Sequence, residues 1–435
     1  MPKSYEKPGN LEDFRVFTGT PKGTRTPDLL IRSQSLYPTE LSAHTHVPHV
    51  PKYDSTSFQK KQVLFLLFLK IFANLTACAL FSTIAPRKGG VPMKNVLENL
   101  PGVLLPWYET NKRDLPWRKD REPYHVWLSE IMLQQTRVEA VKGYYARFLA
   151  ALPTVSDLAN ADDDHLHKLW EGLGYYSRVR NLKKAAIAVM EQHGGAFPAE
   201  YGAVRSLSGV GDYTAGAICS ICYDQPTPAV DGNVLRVIAR ITADETPVDL
   251  PAYKKDVSSA LAEIYPSRAG DFTQALMELG ATVCIPNGKP LCEACPCRVF
   301  CKAKALGNAQ ELPIRLPKKG RREEEKTVLI LSAQDRFAFV KRPEKGLLAG
   351  LWQFPELPGT MELNDVLQAA GEMGLTVKDV YRQVDKKHIF THIEWKMRGF
   401  YLEVTEENER FTWLTREQIE NDAALPTAFR QFWEK

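Results

Sequence analysis

The chain has 435 residues, 44% of them hydrophobic and 25% charged, with 29 Pro, 27 Gly and 8 Cys. Those proportions suit a globular protein of two or three domains and exclude collagen-like, coiled-coil and wholly disordered chains, as well as a disulfide-rich secreted scaffold. The formal charge of +4 is unevenly held: Met1–Pro92 carries 12 basic against 6 acidic residues, and the remainder 44 against 46, so any case for nucleic-acid binding must come from local motifs.

From Met1 to about Ser57 the chain is rich in Pro, Thr and Ser and shows neither helical nor strand periodicity. The apolar run that opens at Val63 and continues to Ile84 is interrupted by Lys70 and Asn74. It lacks the ~20 uninterrupted apolar residues of a membrane span, and it is misplaced for a signal peptide. No membrane partner is expected. Gly23–His44 resembles a segment that recurs in mis-assigned bacterial reading frames, and Met93 opens sequence of a different character. Residues 1–92 are therefore expected to be an extension without function, either disordered or upstream of the true start.

From Asn95 to about Leu306 amphipathic helical patterns alternate with Pro/Gly punctuation and show no strand-like alternation, which predicts an all-α domain over 93–306. In the helix through Trp127–Thr136, turning 100° per residue puts Glu130 on a narrow polar stripe with Gln134 and Arg137. Trp127, Leu128, Ile131 and Met132 form the broad apolar face. A carboxyl hemmed in by apolar neighbours has a raised pKa and can act as a general acid, although a Glu on a solvated helix face is the commoner case.

Leu207–Gly216 reads LSGVGDYTAG, a glycine-rich turn with the next helix beginning near Asp212. Gly209, Val210 and Gly211 let the backbone approach a phosphate, and N–H groups at the helix start would donate to it. This is the helix-hairpin-helix pattern, which grips the DNA backbone without reading bases; an interhelical turn with no ligand is the alternative. Cys219 and Cys222 form a CxxC inside an apolar helical run, where core filling is expected rather than redox chemistry. Asp231 precedes a helix whose Val234, Leu235, Val237 and Ile238 face inward, which makes it a natural N-cap. A carboxylate kept ionised there by the helix dipole is also what an oxocarbenium-like sugar requires.

Cys284, Cys292, Cys295 and Cys301 follow as C-x7-C-x2-C-x5-C among several prolines. Thiols this dense in a non-secreted chain point to a metal, and the spacing admits either an iron–sulfur cluster or a tetrahedral zinc. Cys297 is expected to be a bystander. Residues 307–326 have the composition of a solvated linker. Strand-like pieces at Val328–Leu331, Phe337–Val340 and Trp395–Val404 then predict an α+β domain over 327–435.

The combination of WLSEIMLQQT, GLGYYSRVRNL, the hairpin, VDGNV and the four-cysteine loop resembles the MutY-type adenine DNA glycosylases from about Asn95 to the C-terminus. The resemblance implies an all-α helix-hairpin-helix glycosylase domain carrying a [4Fe–4S] loop on Cys284, Cys292, Cys295 and Cys301, although x7 replaces the commoner x6. A Nudix-like α+β domain would follow. Glu130 would protonate N7 of an extruded adenine, Asp231 would stabilise or transiently bond the C1′ cation, and Tyr213 and Asn233 would orient them. Arg113, Trp117 and Arg118 match the adenine-pocket segment, Gln274 would meet the base edge, and Gln135 and Tyr175 match residues that enter the duplex.

The related endonuclease III group carries a Lys directly before the Thr of its hairpin, and that amine forms the Schiff base for strand cleavage. Tyr213 stands there in this chain, and a phenol forms no imine. The resemblance therefore implies a glycosylase without lyase activity. Val340–Glu356 resembles the family's Nudix-like domain, and Val366–Gly374 lacks the carboxylate cluster that a Nudix hydrolase needs for Mg²⁺. Phe390, Thr391 and His392 match the loop that reads 8-oxoguanine, with Thr391 in place of the usual Ser. The implied partner is double-stranded DNA with A:8-oxoG or A:G mispairs, bound by a monomer in the bacterial cytoplasm at the nucleoid. The competing readings are an endonuclease III-type glycosylase/lyase on oxidised pyrimidines and a catalytically silent DNA-binding protein, which would be expected to lose Glu130 or Asp231.

Overall fold

The computed structural model describes residues 93–317 and 320–433; the extension read at 1–92, with its apolar run, lies outside them. The first part is wholly helical: α1 (Met93–Leu97), α2 (Leu100–Asn111), α3 (Pro123–Leu133), α4 (Val138–Ala151), α5 (Val155–Asn160), α6 (Asp163–Leu169), α7 (Ser177–Gln192), α8 (Tyr201–Ser206), α9 (Asp212–Tyr223), α10 (Gly232–Thr242), α11 (Pro251–Ala262), α12 (Ala269–Thr282) and α13 (Lys302–Leu306). Local chemistry sets several boundaries. Thr154 and Asp157 form a reciprocal capping box at α5, Asp231 caps α10, and Ala243 ends α10 in the left-handed region.

These helices bury two separate apolar cores. One gathers Trp127, Phe148, Trp170, Val179 and Ile218 from α3 to α9. The other gathers Leu104, Val237, Ile238, Tyr253 and Phe272 from α2 and α10–α12. Fully burying each such side chain is worth about 1.5–3 kcal/mol. The chain passes from the first core to the second between Ala229 and Val230, immediately before Asp231. A cleft between the two cores therefore collects residues from both. Cys219 is fully buried within α9, in keeping with a filling role.

The second part is a seven-stranded sheet: β1 (Arg322–Ala333), β2 (Arg336–Lys341), β3 (Trp352–Gln353), β4 (Glu356–Pro358), β5 (Val377–Ile389), β6 (Ile393–Val404) and β7 (Thr412–Thr415). Its order is β3-β2-β1-β6-β5, with β4 paired to β1 and β7 to β2; β1 and β6 are parallel. Alternation along β1 sends Val328 and Ile330 to one core and Leu329, Leu331 and Ala333 to the other. Helix α14 (Leu363–Glu372) covers one face, and α15 (Arg416–Asn421) with α16 (Thr427–Arg430) covers the opposite one. A Cβ on Gly399 in β6 would stand 2.5 Å from the buried Phe432 ring, so a larger residue there would force that ring to move. Among the described residues no helix is long and apolar enough to cross a membrane.

Two expectations change. β1 begins at Arg322, inside the stretch read as linker, because its charged N-terminal half pairs in register with β6 from Arg322↔Ile393 onward. The residues before it are not a free tether either. Leu312 is buried, its carbonyl accepts from Arg240 Nε at 2.9 Å, and Val248 N–H donates to Ile314 O at 3.0 Å. The Glu130 stripe is also cut short, since α3 stops at Leu133 and leaves Gln134 and Arg137 beyond it.

Candidate active site

The cleft between the two helical cores has a volume of about 740 Å³. Arg113, Trp117, Arg118, Glu130, Gln135, Gly209, Gly211, Tyr213, Asp231, Asn233 and Gln274 all line it, so residues scattered over 160 positions of sequence meet at one place. Glu130 comes from α3 in the first core and is only 6% exposed. Tyr213, in the first turn of α9, donates its hydroxyl to Glu130 Oε2 at 2.7 Å. Burial pushes the Glu130 carboxyl up to about 7; the nearby Asp231 charge adds to the rise, while the Tyr213 hydrogen bond and Arg118 oppose it.

Asp231 faces the cleft from the second core. Its Oδ1 accepts from the N–H groups of Asn233 and Val234 at 2.9 and 2.8 Å, and its Oδ2 from Asn233 Nδ2 at 2.9 Å. Burial raises its carboxyl above the ordinary range despite those bonds, so the helix start restrains the shift without cancelling it. Asn233 is fixed in turn by Arg236, which donates Nη2 to Asn233 Oδ1 at 3.0 Å and Nε to Cys284 O at 2.9 Å.

Arg113 and Arg118 border the cleft, but both grip Glu278, which is fully buried on α12. Their ion pairs, at 2.6 and 2.7 Å, hold the carboxyl of Glu278 below its ordinary value against burial. Sequence reading missed Glu278; its only signal was an acid in the apolar run Ala275–Leu279. The hairpin differs from expectation at one residue. Gly209 takes φ +76°, which glycine adopts freely, but Val210 is buried and its N–H closes the turn onto Leu207 O at 3.1 Å. Val210 therefore has neither side chain nor amide to offer a phosphate.

Gln135 and Tyr175 are both non-glycine residues in the left-handed region, at φ +59° and +49°. One buried guanidinium holds both turns. Arg178 Nη1 donates to the carbonyls of Ile131, Met132 and Gln134 at 2.7–2.9 Å, and Nη2 to those of Leu173 and Gly174 at 3.0 Å. A lysine has fewer donors and no fork geometry, so Arg178→Lys is expected to strand buried carbonyls and cost about 3 kcal/mol. A thermal-unfolding midpoint unchanged from the parent would refute that role.

Tyr175 is 48% exposed and meets Thr391 across a second cavity of about 390 Å³, with hydroxyls 3.0 Å apart. Phe390, Thr391 and His392 form the turn between β5 and β6. The Phe390 ring is anchored on Trp395 at 4.8 Å, and Thr391 and His392 are exposed. Arg180 donates to Ala349 O at 2.8 Å, Lys168 to the carbonyls of Ile419 and Ala423, and Arg430 pairs with Glu171. These bonds hold the sheet part against the helical part, and the Tyr175–Thr391 contact holds the β5–β6 turn.

Cys284, Cys292, Cys295 and Cys301 line one cavity, otherwise walled mostly by Val237, Ile241, Leu279, Val283, Pro290 and Leu291. Arg240 Nη1 donates to Cys284 Sγ at 3.3 Å. Among the described residues no three Cys, His, Asp or Glu converge on a single-ion position. Four thiols around an apolar cavity, with a guanidinium on one sulfur, nevertheless fit the donor set of a polynuclear cluster. Cys297 is fully buried in the second helical core and does not line that cavity.

Residues 128–266 match the HhH-GPD superfamily of base excision DNA repair proteins, and residues 326–435 match the NUDIX domain. Over 395 residues the chain is 36% identical to the adenine DNA glycosylase of Rattus norvegicus, covering 75% of this chain and 76% of that one. Over 401 residues it is 36% identical to the adenine DNA glycosylase of Homo sapiens, covering 76% and 72%. A solved thermostable thymine-DNA glycosylase is similar at 28% identity and a TM-score of 0.45, over 49% of this chain and 97% of that one.

Proposed function

The chain belongs to the adenine DNA glycosylases, enzymes of base excision repair, and from that premise we propose that it hydrolyses adenine paired with 8-oxoguanine and leaves the strand uncut. The observation that carries the reading is the pairing of two carboxyls across one cleft: Glu130 held near neutrality by burial, and Asp231 fixed by three hydrogen bonds. Environments that push two carboxyls into different roles mark an acid and an anion. Glu130 would give its proton to N7 of the extruded adenine as the C1′–N9 bond breaks and its electrons pass into the base. Asp231 would hold the resulting C1′ cation until water adds. Gln135 and Tyr175 would fill the gap left by extrusion.

Cys284, Cys292, Cys295 and Cys301 would hold a [4Fe–4S] cluster, which when bound supplies iron–thiolate bonds that cross-link the loop. Thr391 and His392 would read the 8-oxoguanine edge in the second cavity. Thr391 carries a methyl that a Ser would lack, and Thr391→Ser is expected to widen the preference for A:8-oxoG over A:G severalfold. Excision rates on the two duplexes measure this, and an unchanged ratio would deny the methyl any effect.

Single-turnover excision on A:8-oxoG, A:G and an oxidised-pyrimidine duplex, each read with and without hot alkali, tests the whole reading. Breaks at A:8-oxoG only after alkali are expected. Breaks without alkali, or a preference for the oxidised pyrimidine, would assign the chain a lyase mechanism that Tyr213 cannot supply.

A further inference from the structure

Of the cations that border the cleft, Arg113 and Arg118 are already engaged by Glu278. Two further cations, Lys254 on the cleft wall and Arg315 beside Gly232, have no role in the chemistry above. Lys254, on the first turn of α11, lines the cleft with Asp231, Gly232 and Tyr213, and also lines a side chamber behind Tyr213. Asp212, an acid that feels its charge, is itself held by Arg205 at 2.6 Å.

Arg315 arrives from the segment that follows the helical domain. That segment is pinned by Val248 N–H on Ile314 O and by Leu316 N–H on Asp249 Oδ2, both at 3.0 Å. Arg315 Nη1 rests 3.3 Å from Asp249 Oδ1, which leaves Nη2 4.0 Å from where a Cβ on Gly232 would stand. The segment thus delivers a guanidinium to the start of α10, one residue from Asp231.

We propose that Lys254 and Arg315 form a clamp for the phosphates that bracket the extruded nucleotide. The inference rests on the reading that the target sugar places its C1′ beside Asp231. A sugar so placed brings its own two phosphates to a site already holding two carboxyls. Phosphates brought this close to an ionised Asp231 repel it, and the repulsion is strong where water is partly excluded. Arg113 and Arg118 are turned onto Glu278, which offsets one of their two charges, whereas Lys254 and Arg315, the latter shared with Asp249, lie beside Asp231 and Gly232, where the offset is needed. Cations that meet phosphates release counterions, and this gives the clamp a signature independent of catalysis.

The test is equilibrium binding of the full-length chain, across a range of salt concentrations, to two duplexes. One carries a tetrahydrofuran abasic analogue opposite 8-oxoguanine, and the other is the same sequence fully paired. Lys254→Ala and Arg315→Ala are each expected to lower the slope of log K against log salt by about 0.9 on the abasic duplex and to leave it unchanged on the paired one. Lys254→Arg and Arg315→Lys should keep the parental slope, which separates lost charge from lost fold. An unchanged slope on the abasic duplex would overturn the clamp, and so would equal losses on both duplexes, which would make these residues part of a general DNA-facing surface. The abasic analogue undergoes no chemistry, so failure of the parent to release adenine would count against the proposed activity and leave the clamp's test standing.

Discussion

Glu130→Gln is expected to slow adenine excision by at least about 100-fold under single-turnover conditions, with DNA binding retained. A positioned general acid contributes roughly 10²–10⁴ to rate, and a carboxamide at this site has no proton to give. The size and the hydrogen bond to Tyr213 survive the change, because the amide oxygen still accepts from the phenol that now donates to Glu130 Oε2 at 2.7 Å. The pH profile sharpens the test. Glu130 must be protonated to act, and its carboxyl titrates at about 7, so the parental rate should fall about tenfold per unit as pH rises beyond that value. At the acid end the rate should fall again as Asp231, itself raised by burial, takes up a proton. Tyr213→Phe removes the bond that holds the Glu130 value down, so the alkaline limb should move to higher pH. A Glu130→Gln enzyme within tenfold of its parent, or an alkaline limb that stays in place in Tyr213→Phe, would remove Glu130 from the role of acid.

What was legible in the sequence was local. Glu130, Asp231, the hairpin glycines and the four cysteines each lie in a short motif that stands out by residue type and spacing, and the structure places the first three groups on one cleft and the cysteines on another cavity. Features that depend on distant partners were not legible. Glu278 is an anomaly in an apolar helix until Arg113 and Arg118, 165 and 160 residues away, close on it. Helical periodicity carried the Glu130 stripe through Gln134, yet Arg178 collects the carbonyls of Ile131, Met132 and Gln134 and turns the chain at Gln135. Val210 belongs to the hairpin motif by position, but its amide is already used within the turn. β5 escaped notice because it is an edge strand whose Lys378, Asp379, Asp385, Lys386 and Lys387 stay in solvent, so apolar alternation never develops. The same charge masked the start of β1, where pairing with β6 supplies the order that composition does not suggest.

Asp231→Asn should separate chemistry from fold more cleanly than any other change in the cleft. Asn and Asp are comparable N-caps, so the amide oxygen can still accept from the N–H groups of Asn233 and Val234, and α10 should start where it does now. One local conflict remains. The new Nδ2 would face Asn233 Nδ2, which now donates to Asp231 Oδ2, and that mismatch is worth about 1 kcal/mol. The melting midpoint should therefore shift by only a few degrees. The rate should fall far more. A carboxylate about 4 Å from a developing C1′ cation, at an effective dielectric constant of 20, stabilises it by about 4 kcal/mol, and at 1.36 kcal/mol per decade its removal costs roughly a thousandfold. Loss of a negative charge beside the sugar's phosphates acts in the opposite sense on binding, so the variant should hold the mispaired duplex at least as tightly as its parent. Rate, melting midpoint and dissociation constant measured on one preparation distinguish the cases. A thousandfold slower enzyme with parental folding and undiminished affinity is the expected result. A collapse of all three together would reduce Asp231 to a structural cap, and a rate within tenfold of the parent would remove the anion from the mechanism.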